Sequence, residues 1–360
     1  MRRNLFFRIF PPPDFLRMPV AGFDISDESV HIAELVNTPR GREIKRLIKR
    51  PVPKGLIEDG KVKNAEQLKV FFTQVRKDFK LKHINVSLPE QHGYVVMMRI
   101  PKVRSDEIYE SLELQIEENV PIPAKDAIFD YDIIKDGGTG SYMELNVTVF
   151  PRQFIEEYLN VFEDTGLVPV CFEVEAHALA RAVVPKEQIG TYMILDFGKT
   201  RTGITVANNE MVLFSSTINV GGDTVTKSIA RNLEITFDEA EKMKKEGGLF
   251  VGQSNQNAML ALTTVVSAMK GEIMKHYQYW NSHVDQFGKK RQAIDTIFLC
   301  GGFANMPGLP EYLASGLHPD IRVANVFVNV NSFDVYIPNI SLEESLQYAT
   351  SIGLALKADR

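Results

Sequence analysis

Apolar and polar positions follow two different periods along the chain. Between residues 20 and 50 apolar positions recur at every second residue, which predicts a strand hairpin followed by a third, basic strand. Over residues 65–79 the spacing changes to three and four, which predicts a helix, and residues 83–88 form an apolar run typical of a buried strand. Because strand-like and helix-like segments continue to alternate, the pattern favours an α/β fold.

Residues 92–164 have a pattern of their own. Strands are predicted at 94–100, 128–134 and 143–149, and the last two form a hairpin across the polar turn 136–138. Ser105 is the expected N-cap of a helix that runs to residue 118. A second helix is predicted over 152–165. This succession predicts a small α+β unit inserted into the first half of the chain.

The second half of the chain begins as the first half does. Residues 192–206 again show an apolar strand, a polar turn and a second apolar strand, about 170 residues after the first such unit. The elements predicted after this unit are a strand at 212–220, helices at 224–233, 237–245 and 256–280, a strand at 293–300 and a last helix at 342–356. The repeated opening predicts two related lobes.

Composition excludes several classes of protein. The chain has 360 residues, of which 44% are hydrophobic and 24% charged, as in ordinary globular proteins. A net charge of −5 argues against a general nucleic-acid binder, which usually carries a basic stripe. Both cysteines, Cys171 and Cys300, lie in strand-like apolar runs, so we expect reduced core thiols and a cytoplasmic protein. No apolar run approaches the roughly 20 residues of a membrane span.

The N-terminal ten residues are basic and aromatic, and residues 11–13 are all proline. Such a segment is too short and too interrupted for a secretory signal. We expect its aromatic side chains to pack onto the body of the protein, and contact with a membrane surface is the alternative.

Two polar turns follow strand-like runs that end in an aspartate. The first turn follows Asp24 and contains Ser26 and Ser29, and the second follows Asp196 and spans residues 198–203. Backbone N–H groups in such turns form a concave anion site. An aspartate at the strand end suits Mg²⁺, which keeps several of its waters when carboxylates bind it. Either turn alone is a weak signal, since many surface hairpins look similar.

Two glycine pairs also follow strand-like runs. Gly221 and Gly222 precede a predicted helix, whose N-terminus is a favourable place for a phosphate. Gly301 and Gly302 precede Phe303, where a planar base has room to lie against the backbone. The alternative for each pair is an ordinary loop.

The order of these motifs is more specific than any one of them. Two strand–turn–strand units, a first Gly-Gly turn, the sequence Glu241-Lys242-Met243-Lys244 and a second Gly-Gly turn resemble the layout of the actin-like ATPase superfamily. The stretch 220–244 and the insertion at 92–164, in the place of a 1C subdomain, are similar to FtsA and PilM. Residues 53–62 and 173–182 resemble PilM in particular. The resemblance covers nearly the whole chain and implies a two-lobed, ribonuclease H-like α/β fold.

The resemblance implies a role for each matching residue. Asp24 and Asp196 would lie near the phosphates of ATP and hold Mg²⁺ through water, and Glu175 would orient the attacking water. The residues implied to bind the nucleotide are Ser26, Ser29, Gly198, Lys199 and Thr200 at the phosphate turns, Gly221 and Gly222 beside the phosphates, Glu241 and Lys244 at the ribose, and Gly301, Gly302 and Phe303 at the adenosine.

The first turn departs from the superfamily pattern. Ser26 stands where glycine is usual, Asp27 and Glu28 replace hydroxyl residues, and His31 lies where a lysine often follows. A carboxylate about 4 Å from a phosphate charge costs on the order of 4 kcal/mol at an effective dielectric constant of about 20. Nucleotide binding therefore requires both carboxylates to point away from the phosphates, with Lys199 and Arg201 offsetting their charge. We expect at most a slow ATPase.

The resemblance also implies a function. PilM-type proteins are cytoplasmic actin-like components of type IV pilus machinery and of related secretion or DNA-uptake systems. Their partner is the short N-terminal tail of the inner-membrane protein PilN, which would dock between the first lobe and the insertion, near residues 94–99 and 106–117. This implies a location at the inner face of the cytoplasmic membrane, association with the membrane through the partner, and homo-oligomers as a further expectation.

Three alternatives remain from the sequence. An FtsA-like division protein would carry a linker and an amphipathic membrane helix after its last core helix, whereas this sequence stops there. A sugar kinase of the same superfamily would need a catalytic aspartate in a substrate pocket and no such insertion. A scaffold that has lost nucleotide binding would explain Asp27 and Glu28.

The expected division of the chain follows the superfamily layout. The expected segments are an N-terminal arm (1–19), first-lobe core (20–91), 1C-type insertion (92–164), first-lobe core (165–190), second-lobe core (191–225), second-lobe helical subdomain (226–292), second-lobe core (293–335) and a C-terminal helix on the first lobe (336–360).

Overall fold

The structure is a computed structural model that describes residues 19–135, 141–186, 188–253, 256–285, 287–316 and 318–357. Its strands are β1 (Val20–Ile25), β2 (Ser29–Thr38), β3 (Gly41–Pro51), β4 (Ile57–Glu58), β5 (Lys61–Val62), β6 (His83–Leu88), β7 (Tyr94–Pro101), β8 (Ala127–Lys135), β9 (Tyr142–Pro151), β10 (Val168–Val174), β11 (Thr191–Phe197), β12 (Thr202–Asn208), β13 (Met211–Ile218), β14 (Thr296–Cys300) and β15 (Asp320–Val323). Its α-helices are α1 (Ala65–Phe79), α2 (Ile108–Asn119), α3 (Arg152–Asn160), α4 (Glu175–Val183), α5 (Gly222–Leu233), α6 (Phe237–Gly247), α7 (Gln256–Ser282), α8 (Leu309–Ala314), α9 (Leu342–Ser345) and α10 (Ala349–Leu356).

Two five-stranded sheets share one topology. In the order β3-β2-β1-β6-β10, the first three strands are antiparallel, and β6 and β10 are added in parallel on the other side of β1. The second sheet repeats this arrangement as β13-β12-β11-β14-β15. The predicted repetition is therefore confirmed and extends from two strands to five. Because parallel strands end on the same side of a sheet, each sheet gathers its functional loops at one edge.

Helix α10 packs unusually close to the first sheet. A Cβ on Gly22 of β1 would overlap the carbonyl oxygen of Ser351, and a Cβ on Gly353 would overlap the carbonyl oxygen of Ala178 in α4. Asn85 in β6 donates a hydrogen bond to the carbonyl of Leu354 at 2.9 Å. The two glycines therefore allow α10 to lie against β1 and α4 at backbone contact distance.

A buried ion network holds the same helix. Arg181 in α4 donates to both carboxylate oxygens of Glu173, at 2.8 and 2.5 Å, and to the carbonyl of Gly353 at 2.8 Å. Lys357 donates to Glu173 at 3.0 Å. Burial alone would raise the pKa of Glu173, but the hydrogen bonds from Arg181 and the nearby charges lower it to about 2. The carboxylate is thus ionised inside the protein and fully paired.

The predicted inserted α+β unit is confirmed. Strands β7, β9 and β8 form a separate antiparallel sheet in that order, and α2 covers it. The unit has its own hydrophobic core, in which the α2 residues Ile108, Leu112 and Ile116 are fully buried. The predicted hairpin of β8 and β9 is present, and its turn at 136–138 lies outside the described residues.

Several predicted boundaries were wrong. Ser105 does not cap α2, which starts at Ile108, and the backbone N–H of Arg104 instead donates to the Glu107 carboxylate at 3.1 Å. Helix α3 ends at residue 160 instead of 165. The predicted last helix is divided by a 3-10 turn over Leu346–Tyr348, where the carbonyl of Leu346 accepts a hydrogen bond from Gly301 N at 3.2 Å. A contact with the other lobe therefore changes the helix locally.

In the described part of the chain, no helix is both long enough and apolar enough to cross a membrane. This includes α7, which has 27 residues. Residues 1–18 of the predicted N-terminal arm lie outside the described ranges.

Candidate functional site

A cavity of about 900 Å³ lies where β1 and β11 end. Its lining includes both polar turns and both Gly-Gly turns. Every residue that the sequence suggested for the nucleotide site lines this cavity except Gly221. The structure thus brings together residues that lie as far apart in sequence as Asp24 and Phe303.

The first turn is closed by its serines. Ser26 Oγ donates to the carbonyl of Ser29 at 2.9 Å, and Ser29 N donates back to Ser26 Oγ at 3.2 Å. The backbone N–H of Ser26 also donates to the carbonyl of Ser29 at 3.0 Å. Ser26, which stands in place of the usual glycine, therefore stabilises a tight turn with its hydroxyl group.

The two acids of the first turn have partners of their own. Asp27 accepts hydrogen bonds from the backbone N–H groups of Asp59 and Gly60, at 3.0 and 2.9 Å, one on each carboxylate oxygen. Glu28 forms an ion pair with Lys199 of the second turn. Asp27 is thus paired with backbone N–H groups and Glu28 with a lysine, and both residues line the cavity.

His31 does not replace the missing lysine charge. Burial, followed by the nearby charge of Lys49, lowers the pKa of His31 to about 4. The ring is therefore neutral near pH 7. It packs edge-on against Tyr348 at 5.3 Å, and its Nδ1 lies 3.8 Å from Asp24 Oδ2.

The second turn is fastened to the start of α5. Gly198 N donates to the carbonyl of Arg201 at 3.0 Å and closes the turn. Gly222 N donates to the carbonyl of Gly198 at 3.1 Å, and Asp223 N to that of Lys199 at 2.8 Å. A Cβ on Gly221 would come within 2.6 Å of the turn's backbone. Gly221 thus allows the helix start to approach the turn, although it does not itself line the cavity.

Several carboxyl groups lie close enough on the cavity wall to influence one another's charge. Asp24 accepts a hydrogen bond from Ser87 Oγ at 2.7 Å, and Glu175 accepts one from Arg201 at 3.4 Å. Burial, followed by the charge of Glu175, raises the pKa of Asp24 to about 8 and that of Asp196 to about 7. The cavity therefore favours protons on these carboxyl groups when no cation is bound.

Two residues of this cluster, Ser87 and Glu90, were not identified from the sequence. Ser87 is the next-to-last residue of β6 and bonds to Asp24, and Glu90 follows β6 on the cavity wall. Glu90 is only 7% exposed, its Oε2 has no hydrogen-bond partner, and burial raises its pKa. No local sequence signal marks either residue, since they reach the cavity only because β6 runs parallel to β1 and the carboxyl ends of parallel strands meet at one edge.

The raised pKa values predict how stability depends on pH. At Asp24 and Asp196 the folded protein binds protons that the unfolded chain releases near pH 4, so the stability that these two groups contribute is lost as pH rises towards about 7 to 8. Burial of His31 acts in the opposite direction, but only below its ordinary pKa of 6.5, so the two aspartates dominate between pH 5.5 and 8.5. Without divalent cations, we expect Tm to fall by about 3 °C between pH 5.5 and 8.5. The Asp196→Asn variant should show a smaller fall in a calorimetric scan. A Tm that rises over this range in the wild-type protein would contradict the prediction.

The far end of the cavity is built around a buried lysine. Lys244 Nζ donates to the carbonyl of Gly222 at 3.1 Å and to Thr226 Oγ1 at 2.8 Å, and it pairs with Glu241 at 2.6 Å. It lies 5.4 Å from the centroid of the Phe303 ring. The Glu241–Lys244 pair is thus held rigidly beside the second Gly-Gly turn.

The second Gly-Gly turn connects this end to the carboxyl cluster. Gly301 has a φ of 83°, and a Cβ there would overlap Asp196 Oδ1. A Cβ on Gly302 would meet no atom within 4 Å. The turn therefore needs glycine at 301 for its conformation, and it leaves open space at 302 where a flat group could rest.

The donor set fits Mg²⁺ held through water. Asp24 and Asp196 lie on the cavity wall with Glu175 and the unpartnered Glu90 oxygen, and a hydrated cation would offset their repulsion. Across the described ranges, no group of three or more His, Cys, Asp or Glu side chains could itself hold a metal ion.

Comparisons with known proteins show the family to which the chain is similar. The family model described as "Type IV pilus assembly protein PilM" matches residues 22–359. The cell division protein FtsA of Enterococcus hirae is 24% identical over 248 residues, which cover 61% of this chain and 56% of that protein. The matched region thus spans roughly half the length of the curated FtsA relatives.

Solved structures show the same fold. A chain of a PilM–PilN type IV pilus biogenesis complex superposes with a TM-score of 0.79 at 20% identity, covering 96% of this chain and 99% of that chain. MreB5 of Spiroplasma citri bound to ADP superposes with a TM-score of 0.56 at 13% identity, covering 94% and 95% of the two chains. The fold is the two-lobed actin-like ATPase fold with an inserted α+β subdomain, as the sequence predicted.

Proposed function

The chain belongs to the type IV pilus assembly protein PilM family, and on that basis we propose that it is an actin-like scaffold that binds Mg²⁺–ATP and docks a PilN-like tail. The single observation that carries the proposal is the cavity at the ends of β1 and β11. Two facing polar turns and two Gly-Gly turns line it, and the acids that argued against an anion there have other partners.

In the proposed complex, the phosphates lie between the two polar turns. Backbone N–H groups of residues 27–28 and 199–200 would face them, since those of Ser26, Ser29 and Gly198 are bonded inside the turns. Asp24 and Asp196 would hold Mg²⁺ through water, which supplies positive charge where the phosphates meet. The ribose would contact Glu241 and Lys244, and the base would lie on Gly302 and Phe303. MreB5 of Spiroplasma citri, which shares the fold, has been solved with ADP and with AMPPNP.

We propose that hydrolysis is slow. Glu175 is the candidate for orienting water, and its carboxylate is paired with Arg201 at 3.4 Å. An oxygen that accepts from a guanidinium is less available to accept from a water molecule. Glu175 would have to leave Arg201 before it could orient the attacking water.

The proposed docking place for the tail is the groove between the first lobe and the insertion, on the side that the insertion contributes. Tyr109 of α2 is 51% exposed and stacks on Phe129 of β8 with ring centroids 4.2 Å apart. Tyr94 at the start of β7 is also exposed. Glu110, Glu113 and Glu117 add an exposed acidic face to α2 that complements a basic peptide. The match to a chain from a PilM–PilN complex supports a tail of this type.

Titration calorimetry tests both halves of the proposal. We expect micromolar binding of Mg²⁺–ATP and separate binding of a synthetic peptide of the PilN-like N-terminal tail. Tyr94→Ala and Tyr109→Ala should each weaken peptide binding about 10-fold or more while leaving ATP binding unchanged. Tyr279→Ala, on the exposed side of α7, is the matched control and should change neither.

Each negative result has a separate meaning. Absence of ATP binding at millimolar concentration would leave a scaffold without nucleotide. Peptide affinity unchanged in both tyrosine variants would place the docking surface elsewhere. The proposed setting is the cytoplasmic face of the inner membrane, with association through the partner, and homo-oligomers there are part of the proposal.

A further inference from the structure

The insertion contacts the second lobe as well as the first. Glu144 in β9 accepts hydrogen bonds from Arg99 of β7 at 2.8 Å and from Lys289 at 2.9 Å. Lys289 lies in the loop after α7, so the ion pair joins the insertion to the second lobe. Glu144 is 12% exposed, and these bonds lower its pKa although burial opposes them.

Aromatic rings reinforce this contact. The Arg99 guanidinium lies 4.1 Å from the Tyr142 ring centroid and 3.8 Å from that of Phe287. Phe287 belongs to the same loop as Lys289. Arg99 therefore contacts one ring from each side of the junction, at distances typical of strong cation–π contacts. A further bond crosses the junction nearby, from Asn146 Nδ2 to the carbonyl of Val212 at 2.5 Å.

The loop that meets the insertion is held firmly in the second lobe. Asp285 accepts from the backbone N–H groups of Phe287 and Lys289, at 2.9 and 2.8 Å. At the end of the loop, the backbone carbonyl of Gln292 accepts a hydrogen bond from Trp280 Nε1 at 2.8 Å. The side-chain oxygen of Gln292 accepts one from Asn208 of β12 at 3.0 Å. A shift of the second lobe is therefore transmitted to Phe287 and Lys289.

The junction lies away from the cavity. Strand β12 leaves the second polar turn at Thr202 and ends at Asn208, and β13 returns from Met211, next to Val212. The contacts of Asn208 and Val212 thus lie at the opposite end of the second sheet from Asp196. Lobe rotation that opens or closes the cavity displaces this end relative to the first lobe, in which the insertion is rooted.

We propose that the residues Arg99, Tyr142, Glu144, Asn146, Phe287 and Lys289 form a brace that couples closure of the nucleotide cavity to the position of the insertion. This rests on the proposed function, and it specifies how the two sites of that function are linked. When the lobes close on the nucleotide, the brace carries the insertion with the second lobe. Because coupling is reciprocal, whatever holds the insertion in place also changes the affinity for ATP.

Hydrogen exchange measured by mass spectrometry tests the brace with Mg²⁺–ATP as the probe. In the wild-type protein, we expect ATP to slow exchange about 5-fold or more at the phosphate turns, and also at residues 142–147 and 287–292. In the Phe287→Ala/Lys289→Ala variant, the phosphate turns should still respond, whereas residues 142–147 should not. Glu144→Gln, which removes the charge and keeps the shape, is a second variant with the same expectation.

Lys275→Ala is the matched control, since Lys275 is an exposed lysine of α7 whose ion pair stays within the helix. In this variant, Mg²⁺–ATP should slow hydrogen exchange at the same residues and to the same extent as in the wild-type protein. An unchanged exchange rate at 142–147 in the wild-type protein, or an equal response in the double variant, overturns the brace. No response at the phosphate turns instead overturns nucleotide binding itself, so the two failures are distinguishable.

Discussion

Replacing Asp196 by alanine is expected to weaken Mg²⁺–ATP binding about 100-fold or more, which corresponds to about 2.7 kcal/mol. Asp196 ends β11 on the cavity wall, and its carboxylate is one of the two proposed to hold hydrated Mg²⁺. Without it the cation loses an anionic partner and the phosphates lose part of the cation's charge. Titration calorimetry in excess Mg²⁺ is the measurement.

Removing the Asp196 carboxylate should weaken ATP binding without lowering the stability of the metal-free protein. Burial and the charge of Glu175 raise the pKa of Asp196 to about 7, so an ionised Asp196 at pH 8 destabilises the metal-free protein. Asp196→Asn should therefore lose ATP affinity while its Tm at pH 8 stays level or rises. Loss of affinity together with a lower Tm would point to damage to the fold.

Asp320→Ala provides the control for this experiment. Asp320 begins β15 as an exposed residue, and its ion pair with Arg322 is also exposed. Its removal should leave ATP affinity within about 2-fold of wild type, since exposed pairs contribute little. Wild-type affinity in Asp196→Ala would remove Asp196 from the site and place the cation elsewhere.

Replacing Arg181 by methionine is expected to destabilise the protein by about 3–5 kcal/mol. Glu173 would remain buried with its charge and lose both hydrogen bonds from the guanidinium. Lys357 would still contact it at 3.0 Å, so we expect the lower part of this range. Gly353 would also lose a donor to its carbonyl, which loosens α10. Thermal unfolding at pH 7 is the measurement.

Two further variants distinguish loss of the buried ion pair from general damage to the core. Arg322→Met removes a largely exposed arginine from an ion pair and should cost less than about 1 kcal/mol. Arg181→Met combined with Glu173→Leu removes both buried charges and should recover much of the lost stability. If Arg181→Met had no more effect than Arg322→Met, the buried network would contribute nothing to stability.

The parts of the site that the sequence predicted are local. Asp24 and Asp196 each end an apolar run just before a polar turn, and each Gly-Gly pair follows a strand, so neighbouring residues reveal these motifs. The repetition of one motif about 170 residues later predicted the second lobe. Spacing along the chain was enough, because a strand, a tight turn and a helix start are defined by adjacent residues.

The unpredicted parts depend on distant pairs. The hydrogen bonds of Asp27 come from residues 59 and 60, and Arg201 pairs with Glu175, 26 positions earlier. Glu90 resembles any acid after a strand until the sheet register places it beside the cavity. The last helix is broken by a bond from Gly301, which no local pattern reveals. These features follow from tertiary packing, which overrides local propensity.

The close packing of α10 has a consequence for biosynthesis. Gly22 lies near the start of the chain, whereas Ser351, against which it packs, lies almost at the end. At about 5–20 residues per second, a ribosome needs on the order of 15–65 s to make the intervening chain. Throughout this time the β1 surface that α10 will cover is exposed on the nascent protein, so the first lobe to be translated is completed last.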